Sequence, residues 1–438
     1  MILDELSMMT EQECDLLEEV TGAFVPRAPG SLLEAGVSEI QCEGLILRFL
    51  LNRGVASGTD ISAQVCLPFR LIDEELRRMK KEQLVSHRSS SSMHDYLYEL
   101  TSTGHDRARR TTETTTYFGA APVPLETYIE SVEQQSLRRV GMTPEAFKAS
   151  VSDLSIRPDV LSQLGQAVRD ARSMFLFGHP GNGKTSIAER ICQAFGQEIW
   201  IPKAINIDGE TVRLYDPIVH KIKTIPVHPR IDARWVRVER PTIVAGGELT
   251  LENLELTKIA GTGVTEAALQ LKSNCGVLVI DDFGRQRMGP EELLNRWIVP
   301  LEKGFDYLNM PSGKKVRMPF EQMVVFSTNL APKDLVDEAF LRRIPYKILA
   351  PDPTERDFVE LLLKTCQQHK LSCDPATIQY LLDRHYRPQN RGLRYCHARD
   401  LVQQMLNACE YEQLERRANS KLIDIAARNY FVDMEVEL

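Results

Sequence analysis

The hydrophobic pattern along the chain changes period several times, and each change predicts an element. Apolar residues recur on one face over 40–51, which predicts a helix that stops at Asn52-Arg-Gly54. A short helix opened by Thr59 as N-cap follows, and then another over 69–82. Leu84-Val-Ser-His-Arg88 and Tyr96-Leu-Tyr-Glu-Leu100 read as two strands joined by a polar tip at 89–93, and Ser102 begins a further helix. Periodicity breaks over 111–116 and at Ala121-Pro-Val-Pro124, then returns as helical segments over 125–138, 143–152 and 160–171.

Three later runs are apolar throughout, as strands buried on both faces require: Phe175-Leu-Phe177, Gly276-Val-Leu-Val-Ile280 and Met323-Val-Val-Phe326. Between the first two, Ala204-Ile-Asn-Ile and Thr211-Val-Arg-Leu flank Asp208-Gly209, a strong hairpin signal, and β-like chain continues through 235–244. The fold class expected is therefore α/β, a five-stranded parallel sheet with a helical lid, preceded by a smaller α+β module. The expected organisation is an acidic arm over 1–37, the module over 38–110, a linker over 111–135, an α/β domain over 136–349 with a β insertion near 200–265, and a lid over 350–438.

Composition changes this picture little. Hydrophobic residues make up 43 % and charged residues 26 % of the chain, ordinary values for a soluble protein. The net charge of −8 is concentrated at one end: residues 1–37, helix-like over 5–20, carry eight carboxylates against Arg27 alone. Without a basic n-region or any stretch near ~20 apolar residues, neither a signal peptide nor a membrane span is expected, and a cytoplasmic location is. Nine scattered cysteines read as reduced thiols. Cys366, His369, Cys373, Cys396 and His397 match no closed four-ligand spacing, so zinc is not expected.

The chemistry sits after the first buried strand. Gly178-His179-Pro180-Gly181-Asn182-Gly183-Lys184-Thr185 fits G-x-x-x-x-G-K-[ST], with Ser186 opening a helical pattern through Ile187, Ala188 and Ile191. Glycines let such a loop curl its N–H groups inward, and the helix start adds its positive end, so anionic phosphate fits. Lys184 is the cation for the β and γ phosphates and Thr185 a hard oxygen ligand for Mg²⁺, whereas His179 reads as a loop-surface residue. The second buried strand delivers Asp281 and Asp282 at its end: Asp281 to orient a Mg²⁺-bound water, Asp282 to polarise the attacking water. The third ends in Asn329, an amide placed to hold that water, though by itself equally a strand-end turn residue. ATP and Mg²⁺ are thus the expected ligands.

Downstream come Asp337-Glu-Ala-Phe-Leu-Arg-Arg-Ile344 and Asn390-Arg-Gly-Leu-Arg394. This order of five motifs over roughly 136–438 resembles the AAA+ ATPases. The resemblance implies that Asn329 is sensor 1, that Arg343, or else Arg342, is an arginine finger reaching a neighbour's ATP, and that Arg394 is sensor 2. It also implies a homo-oligomer, with a hexamer favoured. Asp281-Asp282 departs from the Asp-Glu of many members and looks like the replication-initiator and helicase-loader branch, whereas the Gly-Leu-Arg lid looks more like the unfoldase and magnesium-chelatase side; slow hydrolysis is expected from the shorter carboxylate of Asp282. The 96-residue interval from Thr185 to Asp281 is the insertion, expected to meet a substrate or partner.

Three helices followed by a two-stranded wing resemble a winged helix-turn-helix domain, and Tyr98-Glu-Leu-Thr-x-x-Gly104 looks like that family's strand exit. Residues 38–110 hold eleven Lys+Arg against ten Asp+Glu, and Asp73, Glu74 and Glu75 occupy the first turns of the recognition helix, where they repel phosphates. Arg77, Arg78, Lys80 and Lys81 lie toward its C-terminal end. Protein docking and DNA binding both remain open for this module. The functional expectations are, in order, an ATPase that remodels a protein client, a DNA-directed loader or regulator, and a slowly hydrolysing nucleotide-gated switch.

Overall fold

The computed structural model describes residues 24–431 except 93–94, 197, 224–227 and 311, so the helical pattern expected over 5–20 lies outside the described residues. By internal contacts the chain forms two compact units: Met1–Met142 with Cys192–Leu278 and Arg287–Met323, and Thr143–Ile191 with Val279–Gln286 and Val324–Leu438. Residues 136–349 are divided between the units, and residues 350–438 fall in the same unit as the phosphate loop.

In the first unit, α1 (Glu39–Arg53) leads into β1 (Val55–Ser57), α2 (Gly58–Val65), α3 (Phe69–Lys81), β2 (Val85–Ser92), β3 (Asp95–Leu100) and α4 (Ser102–Thr114). β1 pairs antiparallel with β3, which also pairs with β2. A third strand was not expected, because Val-Ala-Ser is too short to display a period of two. The N-cap of α2 is Ser57 rather than Thr59: Ser57 Oγ accepts from the Asp60 amide at 3.0 Å, and Asp60 Oδ2 accepts from the Ser57 amide at 3.2 Å. The Thr59 hydroxyl is committed elsewhere, donating to Asp95 Oδ2 at 2.8 Å. α4 runs past the expected boundary at 110, its Thr111 and Thr112 hydroxyls bonding back to the Ala108 carbonyl. Leu45, Ile46, Phe49, Ile61, Ile72 and Leu76 are among the side chains forming one core here.

The arginines of α3 pair with carboxylates inside this module. Arg78 joins the buried carboxylates Glu43 (2.8 Å) and Glu75 (2.5 Å) and the more exposed Glu82 (2.5 Å), while Arg70 pairs with Glu74 and Arg77 with Asp73. Arg78→Ala should therefore destabilise the protein by about 3 kcal/mol, because Glu43 and Glu75 lose their shared cation while staying buried. A denaturant titration of the full chain checks this.

The remainder of this unit is largely β. The expected hairpin forms, Ala204–Ile207 against Glu210–Arg213, with Asp208 and Gly209 both at positive φ. Glu198–Pro202 pairs antiparallel with Trp235–Glu239. Ile205, Ile207, Val212 and Val238 pack with Tyr128 and Val132 of the helix Leu125–Gln135.

The central sheet has five strands, as expected: β4 (Met174–Phe177), β5 (Thr242–Ala245), β6 (Val277–Ile280), β7 (Met323–Thr328) and β8 (Tyr346–Leu349), in the order β5-β6-β7-β4-β8. β7 and β8 both run parallel to β4, with Thr328 and Leu349 each opposite Phe177. β5 therefore belongs to this sheet, although the sequence pattern merged it with the insertion. Apolar side chains fill β4, β6 and β7 because each has a strand on both sides; Phe175, Phe283 and Phe326 cluster with ring centroids 5.1–5.9 Å apart. Helices α5 (Pro158–Asp170) and α6 (Lys184–Ile191) flank β4 in sequence. The lid helices α7 (Glu355–Gln368), α8 (Pro375–Leu381), α9 (Tyr395–Tyr411) and α10 (Ser420–Tyr430) share a core that includes Phe358, Leu362, Leu401, Met405 and Ile423.

Candidate functional site

β4 ends at Phe177 and α6 begins at Lys184, so the six residues between them form the turn at the C-terminal edge of the parallel sheet, where α/β folds place ligands. The Gly178 amide donates to the Thr328 carbonyl at 3.3 Å, which ties the loop to the end of β7. Ile187 N–H reaches the Gly183 carbonyl at 2.9 Å. The amides ahead of it are the start of a helix, which has no preceding turn to bond to. Gly181 has φ +83°, and a Cβ there would stand 2.4 Å from Cys396 Sγ; the Cys396 amide donates to the Gly181 carbonyl at 2.9 Å. Only glycine allows the loop to lie this close to the start of α9.

Two hydrogen-bonded chains converge on the loop. In the first, Lys184 Nζ donates to the carbonyls of Gly178 and His179, both at 3.0 Å, and to Asn329 Oδ1 at 2.7 Å. Asn329 Nδ2 in turn donates to Asp282 Oδ1 at 3.0 Å. Burial lowers the proton affinity of the Lys184 ammonium, and the charges of Asp281 and Asp282 work in the opposite direction. In the second chain, Thr185 Oγ1 donates to Asp281 Oδ2 at 3.0 Å and Ser327 Oγ donates to Asp281 Oδ1 at 2.7 Å. Gln286 Nε2 bonds the Asp281 carbonyl at 2.7 Å, and its Oε1 accepts from the Gly284 amide, bracing the turn after β6. Asp282 is exposed at φ +49°, a left-handed conformation that aspartate tolerates better than most side chains.

The donor set fits the ligands expected. A lysine cation and a helix N-terminus face one loop, and Thr185 Oγ1 beside Asp281 Oδ2 offers two hard oxygens suited to Mg²⁺. Arg394 is the residue before α9; its guanidinium pairs with Asp352 Oδ2 at 2.5 Å, while Asp352 Oδ1 accepts from Asn182 Nδ2 at 2.8 Å and faces His179 Nδ1 at 3.0 Å. His179 and Pro180 are exposed, and Ser186 is half-buried in the first turn of α6. The two hydrogen-bonded chains close without Arg342 and Arg343. Arg342 is exposed after the turn Glu338–Leu341, and the Arg343 guanidinium lies 5.7 Å from the centroid of the Phe340 ring. Cys366 lies in the lid core while Cys396 lies against the phosphate loop.

Sequence reasoning missed Ser327, Gln286 and Asp352. Ser327 was legible as a hydroxyl interrupting a buried strand one residue before its end. Asp352 was legible as an acid between Pro351 and Pro353 just after a strand of this sheet. Gln286 carried no such signal.

Among families, a domain of unknown function, DUF8689, matches residues 354–429, the span of the lid. No protein with a curated description matches the sequence at a significant level. Similar solved structures include the Holliday junction branch migration motor RuvB of Thermotoga maritima, at 15 % identity and TM-score 0.35 over 66 % of this chain and 72 % of that one. NtrX of Brucella abortus in complex with ADP is similar at 14 % identity and TM-score 0.40, over 66 % of this chain and 59 % of that one. Among the described residues no helix is long and apolar enough to cross a membrane. The parallel sheet, the loop joining β4 to α6, the acidic end of β6 and the Asn329 end of β7 together make an α/β fold with a phosphate-loop sequence at the edge of its sheet.

Proposed function

We propose that this chain is an ATPase that works as a homo-oligomer, with six subunits as the favoured number, and that it remodels a protein client recruited by its N-terminal module. The convergence of Lys184, Asn329 and Asp282 on one side and Thr185, Asp281 and Ser327 on the other carries the reading. Six polar side chains from three separated stretches meet around a single loop, an expensive arrangement unless an anion and a cation are to be bound there.

In this reading the loop amides and Lys184 bind the β and γ phosphates, and Lys184 exchanges its carbonyl and Asn329 partners for phosphate oxygens. Mg²⁺, held through Thr185 and Asp281, supplies charge neutralisation across the phosphates. Ser327 fixes the Asp281 carboxylate so that its other oxygen faces Thr185. Asp282 accepts a hydrogen bond from the attacking water, and Asn329 orients both that carboxylate and the water. Arg343 acts on the pocket of an adjacent subunit, and Arg394 reads the γ phosphate.

Asp282→Asn keeps an oxygen that accepts from Asn329 but removes the negative charge that polarises water. ATP should still bind, with turnover lowered by about 10²–10⁴. Phosphate release under saturating ATP measures it, and a normal rate would make Asp282 a bystander.

For the N-terminal module, read as a winged helix-turn-helix, the ion pairs of α3 favour a protein partner. Arg70, Arg77 and Arg78 are engaged by Glu74, Asp73 and a carboxylate cluster, while Leu33 and Ile40, ahead of and within α1, stand exposed. Purified protein should hydrolyse ATP at a rate that double-stranded DNA leaves unchanged. Stimulation by DNA that fades with added salt would overturn the client assignment in favour of a DNA-directed loader. Turnover no greater than that of Lys184→Ala would overturn the ATPase reading itself.

A further inference from the structure

We infer that Asp352 is a positioning residue that sets how strongly the pocket prefers a nucleoside triphosphate to a diphosphate, by holding Arg394 on a protein carboxylate until a γ phosphate competes for it. The inference rests on the ATPase reading and adds to it a residue that none of the motifs contains.

Asp352 follows β8 between Pro351 and Pro353, so its backbone is stiffened on both sides at the ligand-binding edge of the sheet. Its two oxygens serve different masters. Oδ1 takes Asn182 and His179, both of the phosphate loop, and Oδ2 takes Arg394 at the start of α9. One carboxylate thus joins the loop to the lid arginine. The pair is sheltered, with the Asp352 side chain 34 % exposed and that of Arg394 19 % exposed. Burial opposes the charged carboxylate, but the bonds from Asn182 and His179 and the charge of Arg394 outweigh it and hold the Asp352 carboxyl below its usual range.

The geometry of Arg394 points the same way. Its guanidinium folds back over Gly392, where a Cβ would stand 2.9 Å from Nη1 and 3.2 Å from Nη2, so the glycine of the Gly-Leu-Arg segment makes room for this pose. A γ phosphate carries more charge and more acceptor oxygens than one carboxylate, so it draws the arginine away from Asp352. A diphosphate lacks that group and leaves the ion pair in place. Every triphosphate that binds must therefore break the Asp352–Arg394 pair, and every diphosphate is spared that cost.

The test is a set of affinities for ADP and for a slowly hydrolysed ATP analogue, measured on full-length wild type, Asp352→Asn, Arg394→Ala and the double variant. Asp352→Asn should tighten the triphosphate about tenfold, the order expected for releasing one charge-assisted bond, and leave ADP within about twofold. In the Arg394→Ala background the same substitution should change neither. Gly392→Ala reaches the same end by crowding the folded-back guanidinium, and should raise triphosphate preference even if Asp352→Asn fails to fold. Equal changes for both nucleotides, or an effect that persists without Arg394, would reduce Asp352 to a support for the loop and overturn the inference. Wild type that binds ADP while Asp352→Asn and Gly392→Ala leave the ratio unmoved overturns this inference alone. Wild type that binds neither nucleotide overturns the ATPase reading and this inference with it.

Discussion

Lys184→Ala should abolish measurable ATP binding and leave the fold intact. The ammonium is the cation that the loop aims at its own centre, where it now satisfies the carbonyls of Gly178 and His179 and the amide oxygen of Asn329. Those acceptors are its resting partners, and water can replace them once the side chain is gone, because the loop opens at its neighbour: a Cβ on Gly183 would meet nothing within 4 Å. Burial already disfavours the charged lysine, so losing it costs the empty protein little. The bound state loses much more, since a triphosphate would enter a sheltered site lined by Asp281 and Asp282 with its main counter-charge removed. We expect affinity to fall at least about 100-fold, about 2.7 kcal/mol. Titration with a fluorescent ATP analogue, beside a thermal melt within a few degrees of wild type, measures both halves. Affinity within a few-fold of wild type would remove the phosphate-binding assignment.

The legibility of this site follows from how local each signal is. Gly178 to Thr185 is one contiguous stretch whose geometry demands particular residues, so its pattern stands out in the chain directly. Asp281 stood out because β6 is apolar until it ends and the first polar residue then marks the edge of the sheet, whereas Asn329 follows two hydroxyl residues, Ser327 and Thr328, at the end of β7. The three-residue strand β1 escaped for the opposite reason, since it depends on pairing with β3 about forty residues away, and Thr59 does not cap α2, because its hydroxyl is held by the distant Asp95 while Ser57 makes the local box with Asp60. β5 was misplaced because its Thr-Ile-Val-Ala looks the same in an insertion as in a central sheet, and only the neighbour β6 decides. Asp352 shows a further limit, since its meaning arises from Asn182, His179 and Arg394 meeting in space. The sequence pattern likewise leaves α3 open between a DNA-facing and a protein-facing helix, because the ion pairs of Arg70, Arg77 and Arg78 are made with residues whose proximity depends on the fold, while Lys80 and Lys81 carry no such pairing among the described residues.

Arg343→Ala separates the oligomer from the pocket. The bonds around Lys184 and Asp281 close without this arginine, so nucleotide affinity should stay within a few-fold of wild type. Hydrolysis should fall far more, because in the proposed oligomer Arg343 supplies the cation for charge that develops on the γ phosphoryl group of a neighbour's ATP, and arginine fingers contribute about 10³–10⁵ in rate. Lys184→Ala has the opposite defect, an intact Arg343 beside a pocket that does not bind. Mixing the two inactive variants should therefore restore part of the activity, since some interfaces in a mixed ring pair a working pocket from the first with a working arginine from the second. Size-exclusion chromatography of the mixture, with one variant tagged, establishes co-assembly, and phosphate release measures the rescue. Co-assembled rings no more active than the sum of the separate variants would exclude action across the interface by Arg343. The neighbouring Arg342, exposed after the same turn, would then take its place in the same mixing experiment.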